Sequence, residues 1–568
     1  MMKGTGASNG IGIGRAAVIA DADLSYIVRE VRDISAERKR YEAAVEHFCR
    51  IADRRADRLL QSAGENKAEI LRGQITMVND PMLKEELLAL ITSGTCAELA
   101  TETVYDKYIA VFDTMDDDYL RQRALDLSDV KSGILAALLG RIQPDLRNLP
   151  PDSVIVVREL TPSMTAELVK ENIAGIVTEL GGVASHAAIV ARALELPAVL
   201  GVPDVCRRIK NGETVIVDGG KGEVIPSPDA AAMKHYTAQR VQLLQARAVM
   251  EQYRGRPTVS ASGERYAVLC NIAKPEDALK VNAADGEGVG LFRTEFLFAD
   301  QSAPPTEEEQ FFAYKQTALI LKDKPLIIRT LDIGGDKAVP CLKMPHEDNP
   351  FMGFRAIRYC LNRPEIFMPQ LRAILRASVY GNVRIMLPLI TCVDEVREGR
   401  KMIEAAKQEL RRSNIPFNED IPIGIMTETA SAAVLADLLA AEADFFSIGT
   451  NDLTGYTMSC DRGNGDVAYL YSPFQPSVLR LIRRIIVCAK KQHIPVGMCG
   501  EAAADPLMIP LLMSFGIDEL SVSPPSVLRV RKCIAGWTKQ RADEAAAAAM
   551  LFSTESDIRA FLTGVSEK

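Results

Sequence analysis

The chain has 568 residues, 47% of them hydrophobic, and a formal net charge of −8 at pH 7. That is enough length for about three or four domains with substantial cores. The negative balance excludes a global attraction for nucleic acid or an anionic membrane, so an anionic substrate would need a local cluster of arginines.

In chain order, the N-terminal MMKGTGASNGIGIGR lacks the basic, apolar and cleavage regions of a signal peptide, and IGIGRAAVIA (residues 11–20) reads as a strand. From Asp21 to Ile142 the only proline is Pro81, and long stretches such as SAERKRYEAAVEHFCRIADRRADRLLQ and DDDYLRQRALDLSDVKSGILAALLGRI carry helical periodicity. An all-helical hairpin bundle is expected there. Strand signals return at SVIVVREL, IAGIVTEL, PAVLGV and ETVIVDGG. The expectation is an α/β domain (residues 1–21 and 144–227) split in sequence by a helical subdomain (22–143). DAAAMKHYTAQRVQLLQARAVMEQY then reads as a linker helix within 228–257. From residue 258 to the end, eight strand signals alternate with helical segments: YAVLCNIA, GVGLFRTEF, PLIIRTLDI, VRIMLPLI, IPIGIMTET, FFSIGTND, IPVGMCGE and ELSVSPPS. Eight β/α repeats predict a TIM barrel. No run is long and apolar enough to span a bilayer. The eleven cysteines form neither CxxC pairs nor a regular framework, and they never cluster with the five histidines at zinc-ligand spacing. A cytoplasmic protein with free thiols is expected.

Chemistry in such a barrel sits at the C-terminal ends of the strands. Read in order, those ends supply Arg293, then Arg329 followed by Lys337, then Glu428, then Asn451 and Asp452 with Arg462 further on, then Cys499 and Glu501. Taken singly, an arginine here is a surface ion pair, a cysteine a small buried apolar group and a carboxylate a helix cap. Sharing one rim, the arginines and the lysine make a polyanion site with forks suited to phosphate and carboxylate. Two carboxylates with an amide suit Mg²⁺ and leave positions for a substrate's oxygens, and a thiol beside them can move a proton. The substrate implied is small, phosphorylated and carboxylated.

One of the five histidines, His186, lies in GGVASHAAIVAR, where a glycine turn meets Ser185 and an apolar helix. A packed or capping histidine is the bland reading, and no partner ligands for a metal are visible nearby. Turn and helix N-terminus offer N–H groups and positive dipole to an anion on the ring, and neutral imidazole is a good phosphoryl acceptor.

GGVASHAAIVARALELPAVLG resembles the phosphohistidine signature of enzymes that use phosphoenolpyruvate. LFRTEFLF, IIRTLDIGGDK, NPFMGFRAIR, FFSIGTNDLT, DRGN and GMCGE resemble the phosphoenolpyruvate-binding barrel of the same family. Their order, with ASNGIGIGRA and DDDYLRQRALDLSDV, is similar to enzyme I of the sugar phosphotransferase system almost end to end. The resemblance implies a swivelling phosphohistidine α/β domain with the helical insert as docking surface, followed by a barrel that also dimerises. It implies phosphoryl transfer from phosphoenolpyruvate, with release of pyruvate, to His186 and on to a histidine of the small phosphocarrier HPr, as the first step of sugar uptake. His186 corresponds to the residue phosphorylated on Nε2, and Thr165, in LTPSMTAEL, to the threonine that orients its ring. Arg293, Arg329 and Arg462 correspond to ligands of the substrate's phosphate and carboxylate, with Arg355 and Lys337 lining the same site. Asn451 corresponds to a substrate contact, Glu428 and Asp452 to Mg²⁺ ligands, and Cys499 to the acid that protonates the enolate carbon.

The chain departs from the family pattern at Val183 and Ala184, where a basic residue and a threonine are usual, at Thr427 and Ala430 around the metal glutamate, and at Gly455, where NDLTQYT is usual. A dikinase or synthase would share the histidine domain and barrel but needs a nucleotide-binding domain, for which residues before 150 offer no glycine-rich phosphate loop. The remaining alternative is a regulatory homologue that senses phosphoenolpyruvate without transferring phosphate.

Overall fold

The computed structural model describes residues 1–568 except 20–23, 64, 114–117, 142–145, 147, 167, 183–184, 299–302, 335–338, 343, 345 and 567–568; at 58–71, 113, 118–122, 166, 186, 193 and 340 only the backbone is described. The chain divides into two compact units, Met1–Arg247 and Ala248–Lys568.

The first unit contains strands β1 (Met2–Lys3), β2 (Thr5–Ser8), β3 (Ile11–Ile19), β4 (Ser153–Val157), β5 (Ile173–Thr178), β6 (Ala198–Leu200), β7 (Thr214–Asp218) and β8 (Glu223–Pro226) in one sheet of order β1-β8-β7-β3-β4-β5-β6-β2. β3 to β6 run parallel, and the edge strands are antiparallel. β4 and β5 are buried at every residue, which is why both read as unbroken apolar runs. Alternate residues serve opposite faces. Ile155, Val157 and Ile176 pack with Ala188 and Ala191 of helix His186–Leu194, whereas Val154, Val156 and Val177 pack with Val205 and Ile209. Close strand spacing explains the IGIG repeat of β3: a Cβ at Gly12 would lie 2.1 Å from the Ala174 carbonyl oxygen, and one at Gly14 1.9 Å from that of Asp152.

Between β3 and β4 the described residues form helices Ile34–Ala63, Glu65–Val78, Pro81–Thr92, Ala97–Asp113 and Asp118–Leu138. They enclose their own core, with Tyr41, Leu87, Ile91, Val104, Tyr105, Val130 and Ile134 at its centre. Pro81 opens its helix: Asp80 Oδ1 caps it by accepting from the N–H groups of Met82 and Leu83 at 2.9 and 3.2 Å. Helix Ala230–Glu251 follows β8.

The second unit is a closed parallel barrel of β9 (Ala267–Ile272), β10 (Val289–Phe292), β11 (Pro325–Arg329), β12 (Asn382–Leu387), β13 (Ile423–Thr427), β14 (Phe446–Ile448), β15 (Val496–Met498) and β16 (Glu519–Val522), with β16 pairing back to β9. The sequence expectation of eight β/α repeats is met strand for strand. Leu291, Ile327, Met386, Met426 and Phe445 form a small interior cluster that also contains Cys499, while a much larger core lies between barrel and helices. The alanine run near the C-terminus forms helix Lys539–Ala549, whose Ala542, Ala545, Ala546 and Ala549 are buried. No described helix is long and apolar enough to cross a membrane.

Candidate active site

Because all eight barrel strands are parallel, their C-terminal ends share one rim. A cavity of about 140 Å³ there is lined by Arg293, Arg329, Asp332, Arg355, Glu428, Asn451, Asp452, Arg462 and Cys499, with Leu291, Gly334, Phe351, Met426, Gly449 and Gly500. The structure thus gathers eight of the residues singled out in the second unit. Lys337 lies outside the described residues.

A chain of alternating charge runs along the rim. Arg329 Nη2 meets Glu295 Oε1 at 3.0 Å and its Nη1 meets Asp332 Oδ2 at 2.8 Å. Arg355 Nη2 meets Asp332 Oδ1 at 2.8 Å and Asp452 Oδ2 at 3.5 Å. Burial opposes the charge on both arginines, but these carboxylates more than offset it and hold both guanidinium groups above their ordinary pKa. Arg355 also donates to the Tyr456 hydroxyl at 3.2 Å, and Tyr456 donates to the Phe351 carbonyl. Among the described residues, Arg293 and Arg462 have no ion-pair partner, which leaves two forks in the same cavity open to an anion.

Glu428 follows β13 and is buried; its Oε1 accepts from the Leu389 N–H at 2.7 Å. A Cβ at Gly449 would sit 2.7 Å from Glu428 Oε2, so only glycine leaves room for this carboxylate. Asn451 and Asp452 begin helix Thr450–Met458 directly after β14. Gly500 fits against that helix start, since a Cβ there would lie 1.8 Å from Thr450 Oγ1. Asn451 Oδ1 accepts from the Glu501 N–H at 3.3 Å, and its carbonyl from the Tyr471 hydroxyl at 3.0 Å.

Burial raises the pKa of Glu428, and the charges of Asp452 and Asp332 push it the same way. Asp452 is raised by burial and by Asp332, with Arg355 opposing. Two hard-oxygen carboxylates, disfavoured as bare anions and facing one cavity, fit a small divalent cation. Among the described residues no three metal-ligating side chains cluster. Cys499 follows β15 and is buried; burial and the Glu428 charge push its thiol up to about 11, against a Ser447 hydrogen bond and the positive Arg329 and Arg293.

Asp332, Glu295 and Tyr456 were not singled out from the sequence. Asp332 lies in LDIGGDK and Glu295 in FRTEF, and the need of a buried arginine for a counter-ion is the signal that points to them. Gly455 borders a neighbouring cavity of about 530 Å³ lined also by Asn349, Phe351, Tyr456, Cys460, Asp461 and Tyr471. The nearest atom a Cβ at Gly455 would meet is the Cys460 carbonyl oxygen at 3.3 Å, so glycine at this position leaves that space open.

In the first unit His186 begins helix His186–Leu194. Its cap, Ser185, accepts from the Ala188 N–H at 3.4 Å, and Gly181 enters the turn with φ 100°, a conformation glycine adopts freely. Thr165 lies in the short helix Pro162–Ala166 and its hydroxyl donates to the Pro162 carbonyl at 2.7 Å. Val183 and Ala184 lie outside the described residues.

A parallel barrel with arginines, two carboxylates and a thiol at its mouth, joined to an α/β domain with a histidine at a helix start, defines a class of enzyme that uses phosphoenolpyruvate. The models of the PEP-utilising enzymes match along the chain: the N-terminal domain over residues 3–123, the mobile domain over 149–222 and the PEP-binding domain over 247–538. Phosphoenolpyruvate-protein phosphotransferase of Listeria innocua is 43% identical over 534 residues, 94% of this chain and 93% of its own length. That of Bacillus subtilis is 41% identical over 562 residues, 99% of both chains. The solution structure of an Enzyme I protein, nEIt, is 34% identical and covers 43% of this chain and 99% of its own at a TM-score of 0.39. The chain belongs to the phosphoenolpyruvate-protein phosphotransferase family and is a phosphotransferase.

Proposed function

We propose that the protein carries the phosphoryl group of phosphoenolpyruvate through His186 to a histidine of a small phosphocarrier protein, HPr, releasing pyruvate. It does so in the cytoplasm, as a homodimer, at the head of a sugar-uptake system. The observation that carries this reading is the gathering of two open arginines, two buried arginines, two carboxylates and a protonated thiol around one cavity.

Arg293 and Arg462 bind the substrate's phosphate and carboxylate with Arg329 behind them, Arg355 and Lys337 line the same pocket, and Asn451 holds a substrate oxygen. Glu428 and Asp452 are the side chains that would hold Mg²⁺, which when bound supplies positive charge to the phosphate and enolate oxygens. His186 Nε2 attacks phosphorus, its ring oriented by Thr165; the bond from phosphorus to the enol oxygen breaks. The enolate carbon takes its proton from Cys499, whose raised pKa keeps the thiol protonated at neutral pH. Since His186 belongs to one unit and the cavity to the other, loading and delivery require the histidine domain (1–21 and 144–227) to move on the linker (228–257). The inserted helices (22–143) are the docking surface for the carrier, and the barrel region (258–568) dimerises.

The test offers labelled phosphoenolpyruvate and Mg²⁺ to the protein and then adds a purified carrier. Acid-labile, base-stable label is expected on the protein, then on the carrier, and His186→Ala should abolish labelling while substrate still binds by calorimetry. Binding without labelling of the parent protein would instead establish a phosphoenolpyruvate-sensing homologue.

A further inference from the structure

Asp129 is a buried carboxylate of the inserted helices for which the proposed chemistry has no use. It is 7% exposed. Its Oδ2 accepts from Gln74 Nε2 at 3.0 Å and from the Ser163 N–H at 3.0 Å, and its Oδ1 accepts from Ser163 Oγ at 2.9 Å. Gln74, 2% exposed, comes from helix Glu65–Val78 and Asp129 from helix Asp118–Leu138. Ser163 comes from the short helix Pro162–Ala166, which also carries Thr165.

The first N–H groups of a helix have no partner within it. In Pro162–Ala166 the local sequence supplies one acceptor, Thr161 Oγ, which takes the Met164 N–H at 3.3 Å. The Ser163 N–H is taken by Asp129, from 34 residues earlier in the chain. A five-residue helix has little stability of its own, so a charged acceptor with two bonds to its first turn fixes where that turn sits. Thr165 hangs from the same turn: its N–H donates to the Thr161 carbonyl at 3.0 Å and its hydroxyl to that of Pro162 at 2.7 Å. A displacement of Ser163 is therefore carried to the Thr165 hydroxyl.

We propose that Asp129 is a positioning residue: with Gln74 it ties the inserted helices to the helix that carries Thr165, and through Thr165 it sets the ring of His186 for phosphoryl exchange with the carrier. This rests on the reading of Thr165 as the residue that orients His186. The linkage gives the docking helices a direct polar connection to the acceptor geometry.

The experiment uses the full-length protein as parent, Asp129→Asn, Ser163→Ala, Thr165→Ala, and each of the first two combined with Thr165→Ala. The amide introduced by Asp129→Asn keeps the shape of the carboxylate but brings N–H groups where donors now point, and Ser163→Ala removes the hydroxyl's bond to Asp129 and its 3.1 Å contact with Thr161 Oγ while keeping the Ser163 N–H on Asp129. Two quantities are read: the rate of phosphate exchange between His186 and a phosphorylated carrier, and the nitrogen chemical shifts of the His186 ring. Asp129→Asn is expected to slow exchange about tenfold, the worth of a hydrogen bond to a charged group. It should shift the ring nitrogens in the same direction as Thr165→Ala, and each double variant should be no slower than Thr165→Ala alone. Additive losses, or parent-like rates and shifts for both Asp129→Asn and Ser163→Ala, would overturn the proposal while leaving Thr165 in its role. Parent-like behaviour of Thr165→Ala would remove the reading of Thr165 and this proposal with it. Should Asp129→Asn fail to fold, Ser163→Ala with its double variant decides alone.

Discussion

Cys499 has a buried thiol raised to about 11, first by burial and then by the Glu428 charge, so at neutral pH it is an acid and not a nucleophile. A hydroxyl fits the same space but gives up its proton far less readily. Cys499→Ser is therefore expected to slow pyruvate formation and solvent-proton incorporation into its methyl group by roughly 10²-fold, the scale of a general acid. Phosphate exchange between His186 and the carrier should be unchanged. Parent-like rates of pyruvate formation would make Cys499 a packing residue. Asp126 is raised from 3.8 to about 6 by burial, with the Asp129 charge adding to the shift and Arg123 opposing it. A carboxyl with a raised folded-state pKa favours the fold when protonated. That contribution is full below the unfolded value and is lost as pH rises through the folded one. At about pH 7 Asp126→Asn should stabilise the first unit by on the order of 1 kcal/mol, discounted for solvent screening, and at about pH 4 the gain should vanish. Calorimetric unfolding of parent and variant at the two pH values checks both halves.

At the scale of single elements, strand β3 depends on what its glycines lack. An alanine methyl at Gly14 would meet the Asp152 carbonyl oxygen at 1.9 Å, and that carbonyl is held against β3 by the Arg15 N–H at 3.0 Å. Gly14→Ala should lower the stability of the first unit by about 3 kcal/mol or prevent its folding, at the upper end of overpacking costs. Phosphoenolpyruvate binding by the second unit should be unaffected. An unchanged unfolding transition of the first unit would show that β3 and its neighbours are not packed so closely. The same sheet shows which elements were legible. β4 and β5 read directly because strands buried on both faces are continuous apolar runs, whereas β1, β2 and β8 have only two to four residues, too few for a period to register.

For the whole molecule the division into Met1–Arg247 and Ala248–Lys568 separates His186 and Thr165 from the barrel cavity. A fragment of residues 1–251, ending with helix Ala230–Glu251, keeps the sheet, the inserted helices and their separate cores. It should fold and exchange labelled phosphate reversibly with a phosphorylated carrier, since that step needs two histidines and their local anion-binding groups. It should take no label from phosphoenolpyruvate, because it has neither the arginines for the substrate's anions nor an acid for the leaving enolate. Label taken from phosphoenolpyruvate by the fragment would show that the barrel cavity is not the substrate site.

Order and periodicity carry the parts of this protein that the sequence determined alone: the split α/β domain, the helical insert, eight β/α repeats, and a glycine turn leading into His186. These are local properties, written in neighbouring residues. In a barrel the repeat itself specifies that strand ends share a rim, so Arg293, Arg329, Glu428, Asn451, Asp452 and Cys499 were legible as a set. Only the tertiary structure decided which charge meets which. Closure of β16 on β9 brings Ser521 to Asn271 at 2.7 Å across 250 residues, and Asp332, just after β11, meets Arg355 of a later segment at 2.8 Å as well as its own neighbour Arg329. Packing of the insert on the α/β domain sets Asp129 on Ser163. Such pairings have no sequence period, because side-chain reach and strand register select them once distant segments are already in contact.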